Sequence, residues 1–201
     1  MILSLNFLFI ALISGIIHLD TLVFGQFMIS RPIVCGPIIG YLLGSVNEGI
    51  LLGAILELLY ISIIPVGIKI PPDSTAATIF SIVCSKLTGC LSLGVFLGIF
   101  VGWVYKYVDI FLRSANSIVL SWVDSAKPDL VERRINLLVI YGIVSSYLKA
   151  VLFYLLFFPI IGFFGITICK FFAKSNLVFN SLVYVLPAIG VGIGLYHFTE
   201  K

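Results

Sequence analysis

Residues 26–78 read QFMISRPIVCGPIIGYLLGSVNEGILLGAILELLYISIIPVGIKIPPDSTAAT, and this stretch decides how the rest of the chain is interpreted. It places one carboxylate, Glu57, in the middle of an apolar run and a second, Asp73, directly after two prolines. Ionisable groups are costly inside a membrane, and they are typical of places where a polar solute passes. The stretch therefore predicts a polar site inside an apolar protein.

The composition of the whole chain is that of a membrane protein. Of its 201 residues, 61% are hydrophobic and 10% are charged, and the mean hydropathy is +1.21. A soluble domain would carry about 25% charged residues, so we expect a polytopic integral membrane protein in a lipid bilayer. The net charge of +3 is small, and no basic run is dense enough for a nucleic-acid footprint. Nucleic acid is therefore not a predicted partner.

The cysteines and the N-terminus suggest no further chemistry. The four cysteines stand singly in apolar surroundings without CxxC spacing, so we interpret them as packing residues and expect no disulfide, metal site or cofactor. The first 17 residues lack a positively charged start and a small-residue cleavage site. They predict a retained first helix rather than a signal peptide.

The apolar runs of the first half differ in length. Residues 2–17 are almost wholly apolar, and we interpret His18 and Asp20, which close them, as an interfacial polar end rather than a proton relay. Residues 33–44 are too short to cross a hydrocarbon core of ~30 Å, so they predict a re-entrant helix. Residues 49–68 are long enough to span and hold the first carboxylate near their centre.

Glycines and prolines punctuate these runs. Gly36, Gly40 and Gly44 lie four apart, which puts them on one helix face and lets another backbone approach closely. The double proline disfavours helix, and Asp73 behind it is a good N-cap for a helix that starts at Ala76. Broken helices whose ends meet at a polar cavity are how transporters build a binding site.

The second half of the chain can be interpreted from the same patterns of hydropathy, glycine spacing and proline position. Residues 91–107 predict a spanning helix that carries a second glycine ladder, at Gly94, Gly98 and Gly102. Residues 113–134 are polar and show the period of an amphipathic helix that ends at Pro128. Residues 135–172 are apolar again, and within them Lys149 is expected to snorkel to an interface rather than to pair with a carboxylate.

We therefore predict an all-α fold, a polytopic membrane protein with about five to seven membrane segments, some of them broken or re-entrant. A last apolar run, residues 177–198, completes this set. We expect an N-terminal membrane half with the polar site (1–113), a polar amphipathic linker (114–134) and a C-terminal membrane half (135–201).

The polar groups come without a catalytic motif. The chain has no G-x-S-x-G, P-loop, H-E-x-x-H or dinucleotide fingerprint, so it is not predicted to be an enzyme by itself. Carboxylates, amides and hydroxyls in a cavity suit a sugar, because they form paired hydrogen bonds with vicinal hydroxyls. The candidate substrate-binding residues are Gln26, Glu57, Lys69, Asp73, Ser74 and Thr75. In the alternative, Glu57 pairs with Lys69 or Arg31 and only ties helices together.

The pattern RP-x4-PIIGYLLG-x4-GILLGAILELLYI-x5-G-x3-PPDSTAAT resembles the signature half of the IIC membrane subunit of the mannose-type (mannose-fructose-sorbose) sugar phosphotransferase system. The likeness covers about residues 19–81 and stays in register without gaps. It implies a multi-pass permease subunit of the bacterial cytoplasmic (inner) membrane that imports a hexose or related sugar together with subunit IID. A soluble IIB protein, charged from phosphoenolpyruvate through IIA, would phosphorylate the sugar. By the same resemblance, the sugar pocket lies near Glu57 and Asp73.

Two departures from the family pattern bear on these expectations. Family members often carry a glutamine just before the Arg-Pro pair, where this chain has Met28, with Gln26 nearby. The C-terminal membrane half is also shorter than is usual in the family.

A non-transporting membrane scaffold or receptor of the same fold is the alternative function. The glycine faces would also suit a homo-oligomer.

Overall fold

The computed structural model describes residues 2–21, 23–61, 63, 70–124, 131–172 and 176–199. These residues form seven α-helices and none of them lies in a β-strand, so the all-α prediction is confirmed. The helices are α1 (Ile2–Leu19), α2 (Pro32–Leu42), α3 (Val46–Tyr60), α4 (Ser74–Thr88), α5 (Leu91–Asp124), α6 (Val131–Phe172) and α7 (Asn176–Thr199).

Large apolar side chains cover the outer surfaces of the two longest helices. On α6 they recur every fourth residue, at Leu148, Leu152 and Leu156. Two described segments, Leu91–Ser117 of α5 and Glu132–Lys170 of α6, are long and apolar enough to cross a membrane. Soluble proteins rarely expose apolar surface so continuously. The surface therefore agrees with the predicted polytopic membrane fold.

Three helices are too short to cross a bilayer. α2 has 11 residues, and α3 and α4 have 15 each, so they are about 17 to 23 Å long at ~1.5 Å per residue. The prediction of a short helix at α2 is confirmed. The prediction of a spanning helix over residues 49–68 is wrong, because α3 ends at Tyr60. Pro65 follows it in the sequence, and a proline in a helix clashes with the carbonyl of the residue four positions earlier, here Ile61, which hydropathy does not register.

Glycines bring α2 and α3 into backbone contact. A Cβ atom added at Gly36 would lie 2.5 Å from the Gly49 carbonyl oxygen, and one added at Gly40 would lie 2.9 Å from the Gly49 Cα. The predicted close approach at these two positions is confirmed. Gly44 has no atom within 4 Å of such a Cβ; instead its φ of +67° ends α2 in a left-handed turn.

The second glycine ladder packs α5 against α4 in the same way. Added Cβ atoms at Gly94, Gly98 and Gly102 would lie 2.4 to 2.6 Å from carbonyl oxygens of Ser81, Ala77 and Asp73. The helix on the other side of this contact, α4, is buried at every residue from Thr75 to Ser85. The α4–α5 pair is therefore a tightly fitted centre around which the other helices lie.

Aromatic side chains join α4 to α6. The Phe80 ring on α4 lies 5.0 Å from the Phe158 ring and 5.4 Å from the Tyr154 ring, measured between centroids. Phe153 and Phe157 stack on each other at 4.3 Å on the same side of α6. Such pairs stabilise a core beyond the area that they bury, so they hold α6 firmly against the central pair.

A buried ion pair joins α5 to α6. The Lys149 ammonium lies 2.7 Å from one oxygen of Asp109, and the other oxygen accepts a hydrogen bond from Arg113 Nε at 2.7 Å. The Lys149 side chain is only 10% exposed, so the prediction that it snorkels is wrong. A buried ammonium needs a charged partner, and this one is forty residues away in sequence, where only the packing of the two helices reveals it.

The described parts of the predicted amphipathic helix, residues 113–124 and 131–134, belong to two longer helices. α5 continues without a break from its apolar half through Asp124, and α6 begins at Val131. Residues 125–130, with Pro128 at which the sequence predicts an end, lie outside the described residues. α6 itself runs through Pro159 as one helix of 42 residues.

Candidate functional site

The ends of four helices enclose a polar cavity of about 400 Å³. The C-terminal ends of α1 and α3 and the N-terminal ends of α2 and α4 meet there, together with the segment 20–31 between α1 and α2. Its polar lining includes Gln26, Arg31, Glu57, Tyr60, Ser74 and Thr75. A cavity of this volume is within the range of small-molecule sites.

The cavity lies about halfway across the apolar part of α5. The backbone N–H of Asp73, which stands between the lining residues Pro72 and Ser74, donates to the Gly102 carbonyl at 3.0 Å. Gly102 lies about 16 Å along α5 from Leu91 at ~1.5 Å per residue, and the apolar segment of α5 continues to Ser117. Transporters bind their solutes between the ends of discontinuous helices.

Glu57 and Arg31 form an ion pair in the wall of this cavity. Arg31 Nε donates to Glu57 Oε1 at 2.9 Å and Arg31 Nη2 donates to the same oxygen, while the Ile33 N–H lies 3.4 Å from Oε2. The carboxylate thus sits at the N-terminus of α2, where the helix dipole favours negative charge. Pairing with Arg31, which the sequence left open as an alternative, is what the structure shows.

This ion pair still leaves polar groups for a ligand. A guanidinium carries five N–H donors, and the two bonds to Glu57 use two of those on Arg31. The Arg31 side chain is 50% exposed and that of Glu57 is 13% exposed. Tyr60 lies one turn beyond Glu57 on α3 and lines the same cavity, and this i, i+3 spacing could have identified it from the sequence.

Asp20 holds residues 26–30 in a strained conformation. The Asp20 carboxylate accepts hydrogen bonds from the Phe27 N–H at 2.6 Å and the Ser30 N–H at 3.1 Å. Next to the Phe27 anchor on either side, Gln26 and Met28, both in the cavity lining, have φ angles of +50° and +64°. Non-glycine residues adopt such angles only where their surroundings enforce them, so Asp20 fixes the shape of this wall.

The electrostatics of Asp20 follow from these bonds. Burial acts to raise the pKa of Asp20, but the backbone N–H groups of Ser30 and Phe27 outweigh it and lower that pKa from its usual value. The carboxyl therefore stays ionised at neutral pH. Asp20 and His18 are 7% and 8% exposed, so their interpretation as an interfacial polar end is wrong: both are buried where α1 meets the cavity.

We expect Asp20→Ala to destabilise the protein, because it leaves two backbone donors without their charged acceptor. Hydrogen bonds to charged groups contribute ~1.5–3 kcal/mol each, so a loss of about 3 kcal/mol should lower the apparent melting temperature by about 6–12 °C. Asp20→Asn keeps one acceptor oxygen and should lose about half as much. Thermal unfolding in detergent at neutral pH measures both.

The difference between wild type and Asp20→Ala should also depend on pH. Because the folded-state pKa of Asp20 is lowered, its stabilisation is present at and above the usual carboxyl pKa range and is lost as the pH falls through the folded-state pKa. The two melting temperatures should therefore converge on strong acidification. Equal melting temperatures at neutral pH would contradict the role of Asp20.

The first turn of α4 forms another wall of the cavity. Asp73 Oδ1 accepts from the Ala76 N–H at 2.6 Å, which confirms Asp73 as the predicted N-cap, although the helix begins at Ser74. Thr75 Oγ1 donates to the Ser30 carbonyl at 2.8 Å. This bond ties α4 to the segment that Asp20 holds, so the two walls support each other.

The structure brings together most of the predicted substrate-binding residues. Four of them line the single cavity described above: Gln26, Glu57, Ser74 and Thr75. Asp73 lies beside it, with its carboxylate on the helix cap and toward His18 rather than in the lining. Lys69 lies outside the described residues. Asp20, Arg31, Ser30 and Tyr60 were not among the candidates and also line the cavity.

A family model described as the sorbose-specific IIC component of the phosphotransferase system (PTS) matches residues 4–201. The chain belongs to this IIC family. The resemblance of residues 19–81 to the mannose-type IIC subunit is thereby confirmed, and the family match extends over the C-terminal half as well.

Two curated relatives of this IIC-family chain are longer than it is. The sorbose-specific EIIC component of the PTS of Klebsiella pneumoniae is 28% identical over 118 residues, which cover 58% of this chain and 44% of the relative. N-acetylgalactosamine permease IIC component 1 of Escherichia coli (strain K12) is 25% identical over 167 residues, which cover 81% and 62%. The chain thus spans about half of the length of these relatives.

A solved structure described as a membrane protein has the same fold. It superposes on the IIC-family chain with a TM-score of 0.68 over 97% of this chain and 78% of the other, at 17% sequence identity. At that identity the likeness shows the fold alone. It agrees with the helical membrane architecture of the described residues.

Proposed function

We propose that this chain is the sugar-translocating IIC subunit of a phosphoenolpyruvate-dependent PTS and that a hexose or related sugar binds in the 400 Å³ cavity. One observation carries the proposal: the chain belongs to a PTS IIC family, and its polar cavity lies about halfway across the apolar part of α5, between the ends of short helices. Sugar hydroxyls need both donors and acceptors, and this lining supplies both.

Each lining residue has a role that its chemistry suggests. Glu57 accepts hydrogen bonds from sugar hydroxyls, and the unused N–H groups of Arg31 donate to sugar oxygens. Gln26 offers both a donor and an acceptor from the strained segment, and Ser74 does so from the first turn of α4. Thr75 donates its hydroxyl hydrogen to the Ser30 carbonyl, so its role is to shape the wall. Asp73 acts by capping α4, and Lys69 remains a predicted contact.

The proposed partners follow from the family rather than from the cavity. IIC works with a membrane subunit IID, and the sugar is phosphorylated by a soluble IIB protein charged through IIA. On this proposal the chain is a multi-pass protein of the bacterial cytoplasmic membrane. It binds and moves the sugar, and the phosphoryl transfer takes place on IIB. The names of the relatives as permease IIC components support this division of labour.

Reconstitution tests the proposal. Membrane vesicles that contain this chain with and without a IID subunit are supplied with phosphorylated IIB and with labelled hexoses, hexosamines and sorbose in turn. We expect phosphorylated sugar to accumulate only when both membrane subunits are present. No product with any of these sugars, despite co-purification of the two subunits, would overturn the proposal.

The Arg31–Glu57 ion pair favours one other candidate, a membrane scaffold or receptor of the same fold. In that function the pair only ties α2 to α3, and no sugar would raise the melting temperature of the assembled complex. Sugar-dependent stabilisation of the purified complex would exclude a purely structural cavity, because a ligand raises the stability of the folded state only if it binds to that state.

A further inference from the structure

We propose that His18 is a positioning residue of the cavity, which holds Asp73 and through it the first turn of α4, where Ser74 and Thr75 line the wall. The inference rests on the proposed function, because it assigns a further residue to the same sugar site. His18 itself lies outside the lining, so it would act on the sugar only through Asp73.

His18 is enclosed by polar and aromatic groups from three other elements. Its Nε2 lies 3.6 Å from Asp73 Oδ2, and its Nδ1 lies 3.5 Å from the Tyr154 hydroxyl on α6. The Tyr105 ring on α5 meets the imidazole edge-on at 4.5 Å between centroids. Each ring nitrogen therefore faces a polar group, and the aromatic contact fixes the plane of the ring.

The two oxygens of Asp73 have separate tasks. Oδ1 caps α4 through the Ala76 N–H, whereas Oδ2 faces His18. The Asp73 side chain is only 17% exposed, so without His18 its second oxygen would be largely buried and would lose the polar group that faces it. The carboxylate would then turn toward the water of the cavity, and the cap on α4 would turn with it.

The end of α1 thereby supports two walls of the cavity. His18 faces the cap of α4, and Asp20, two residues later, holds Ser30 in the segment before α2. The two walls meet where Thr75 donates to the Ser30 carbonyl. A shift of the α4 cap would therefore change the distance between the hydroxyls of α4 and the polar groups of the opposite wall.

The charged groups near His18 are engaged with other partners, so contact with Asp73 falls to His18. The titratable groups that face it are Asp73 before α4, Tyr105 and Asp109 on α5, and Tyr154 and Lys149 on α6. Lys149 lies 5.1 Å from the centre of the Tyr105 ring and is paired with Asp109 at 2.7 Å. Among the described residues, the polar group that faces Asp73 Oδ2 is Nε2 of His18, at 3.6 Å.

Sugar uptake by three variants tests the inference. His18→Phe keeps an aromatic ring without nitrogen, and we expect the KM for the transported sugar to rise about tenfold with the maximal rate within about threefold, because misplaced polar groups weaken binding. His18→Gln restores an N–H donor and should return KM to within about threefold of wild type. Ser14→Ala is the matched control, since Ser14 lies one turn earlier on α1, fully buried and with an unbonded hydroxyl, and it should change neither value.

Hydrogen exchange of the purified protein gives a second readout that needs no transport. We expect faster exchange of the amides in the first turn of α4 in His18→Phe, but not in Ser14→Ala. The inference would be overturned if His18→Phe left both the KM and the amide exchange unchanged. The same conclusion would follow if the only effect were a smaller amount of inserted protein. Absence of uptake by the wild type would count against the proposed function instead, and the exchange result would still decide the role of His18.

Discussion

Glu57→Gln should reduce sugar uptake by at least about 100-fold while the protein still inserts and assembles. The substitution removes the charge that pairs with Arg31 and, on the proposed function, one acceptor for sugar hydroxyls. Hydrogen bonds to charged groups contribute ~1.5–3 kcal/mol each, and two of them correspond to about 100-fold or more. The measurement is the initial uptake rate of the labelled sugar, normalised to the amount of IIC subunit in the vesicles.

Glu48→Gln is the matched control for this variant. Glu48 lies on the same helix, α3, but in its first turn, where it accepts a hydrogen bond from Ser85 Oγ at 2.9 Å far from the cavity. It should keep uptake within about twofold of wild type. Uptake by Glu57→Gln at the level of Glu48→Gln would remove Glu57 from the proposed sugar site.

The double variant Arg31→Gln/Glu57→Gln separates a structural ion pair from a sugar contact. If the pair only ties α2 to α3, removal of both charges relieves the unpaired partner and should restore uptake relative to either single variant. If both groups bind the sugar, as we propose, the double variant stays as inactive as the worse single variant. Assembly with IID, measured by co-purification, must be kept in all three for the comparison to hold.

Gly98→Leu is expected to destabilise the folded protein. A Cβ at this position would lie 2.4 Å from the Ala77 carbonyl oxygen and even closer to the Ser81 hydroxyl, both on α4. Rotamer changes can move the hydroxyl, but the carbonyl belongs to a fully buried helix backbone and cannot move away. Because the clash is with backbone, we expect the upper end of the cost of overpacking, about 3 kcal/mol, which should lower the apparent melting temperature by about 6–12 °C.

Gly142→Leu tests whether size alone causes this loss. Gly142 lies on α6, and a Cβ there would meet no atom within 4 Å. Its melting temperature and its yield of monodisperse protein should stay close to those of wild type. A Gly98→Leu protein as stable as this control would show that α4 and α5 are not packed as described.

The parts of the fold that local chemistry decides could be predicted from the sequence. The cap at Asp73 follows from the side chain alone, and the close approach of α2 to a neighbour follows from Gly36 and Gly40. The end of α3 could not be read from hydropathy, because the residues after Tyr60 stay apolar. Helix ends inside apolar runs depend on backbone preferences that a hydropathy profile ignores.

Contacts between distant residues set the other limit. Lys149 and Asp109 are forty positions apart, and the partners of His18 come from three different elements, so no spacing rule connects them. The same holds for Asp20, whose bonds to Phe27 and Ser30 depend on the left-handed residues between them. Four polar groups of the cavity, Gln26, Glu57, Ser74 and Thr75, could be named from the sequence, whereas the groups that hold them in place became visible only in the packed structure.

The bond between the Ile33 amide and Glu57 gives the cavity a natural reporter. That amide is the donor to Oε2, the oxygen of Glu57 that Arg31 does not use. A sugar hydroxyl that took this oxygen would displace the amide, so its chemical shift should move as ligand is added, and Glu57→Gln should blunt the response. A chemical shift of the Ile33 amide that does not change on addition of sugar would argue against Glu57 as a sugar contact. Nuclear magnetic resonance of a single nitrogen-labelled isoleucine would thus register occupancy directly, with no need for transport, a partner subunit or a chemical probe.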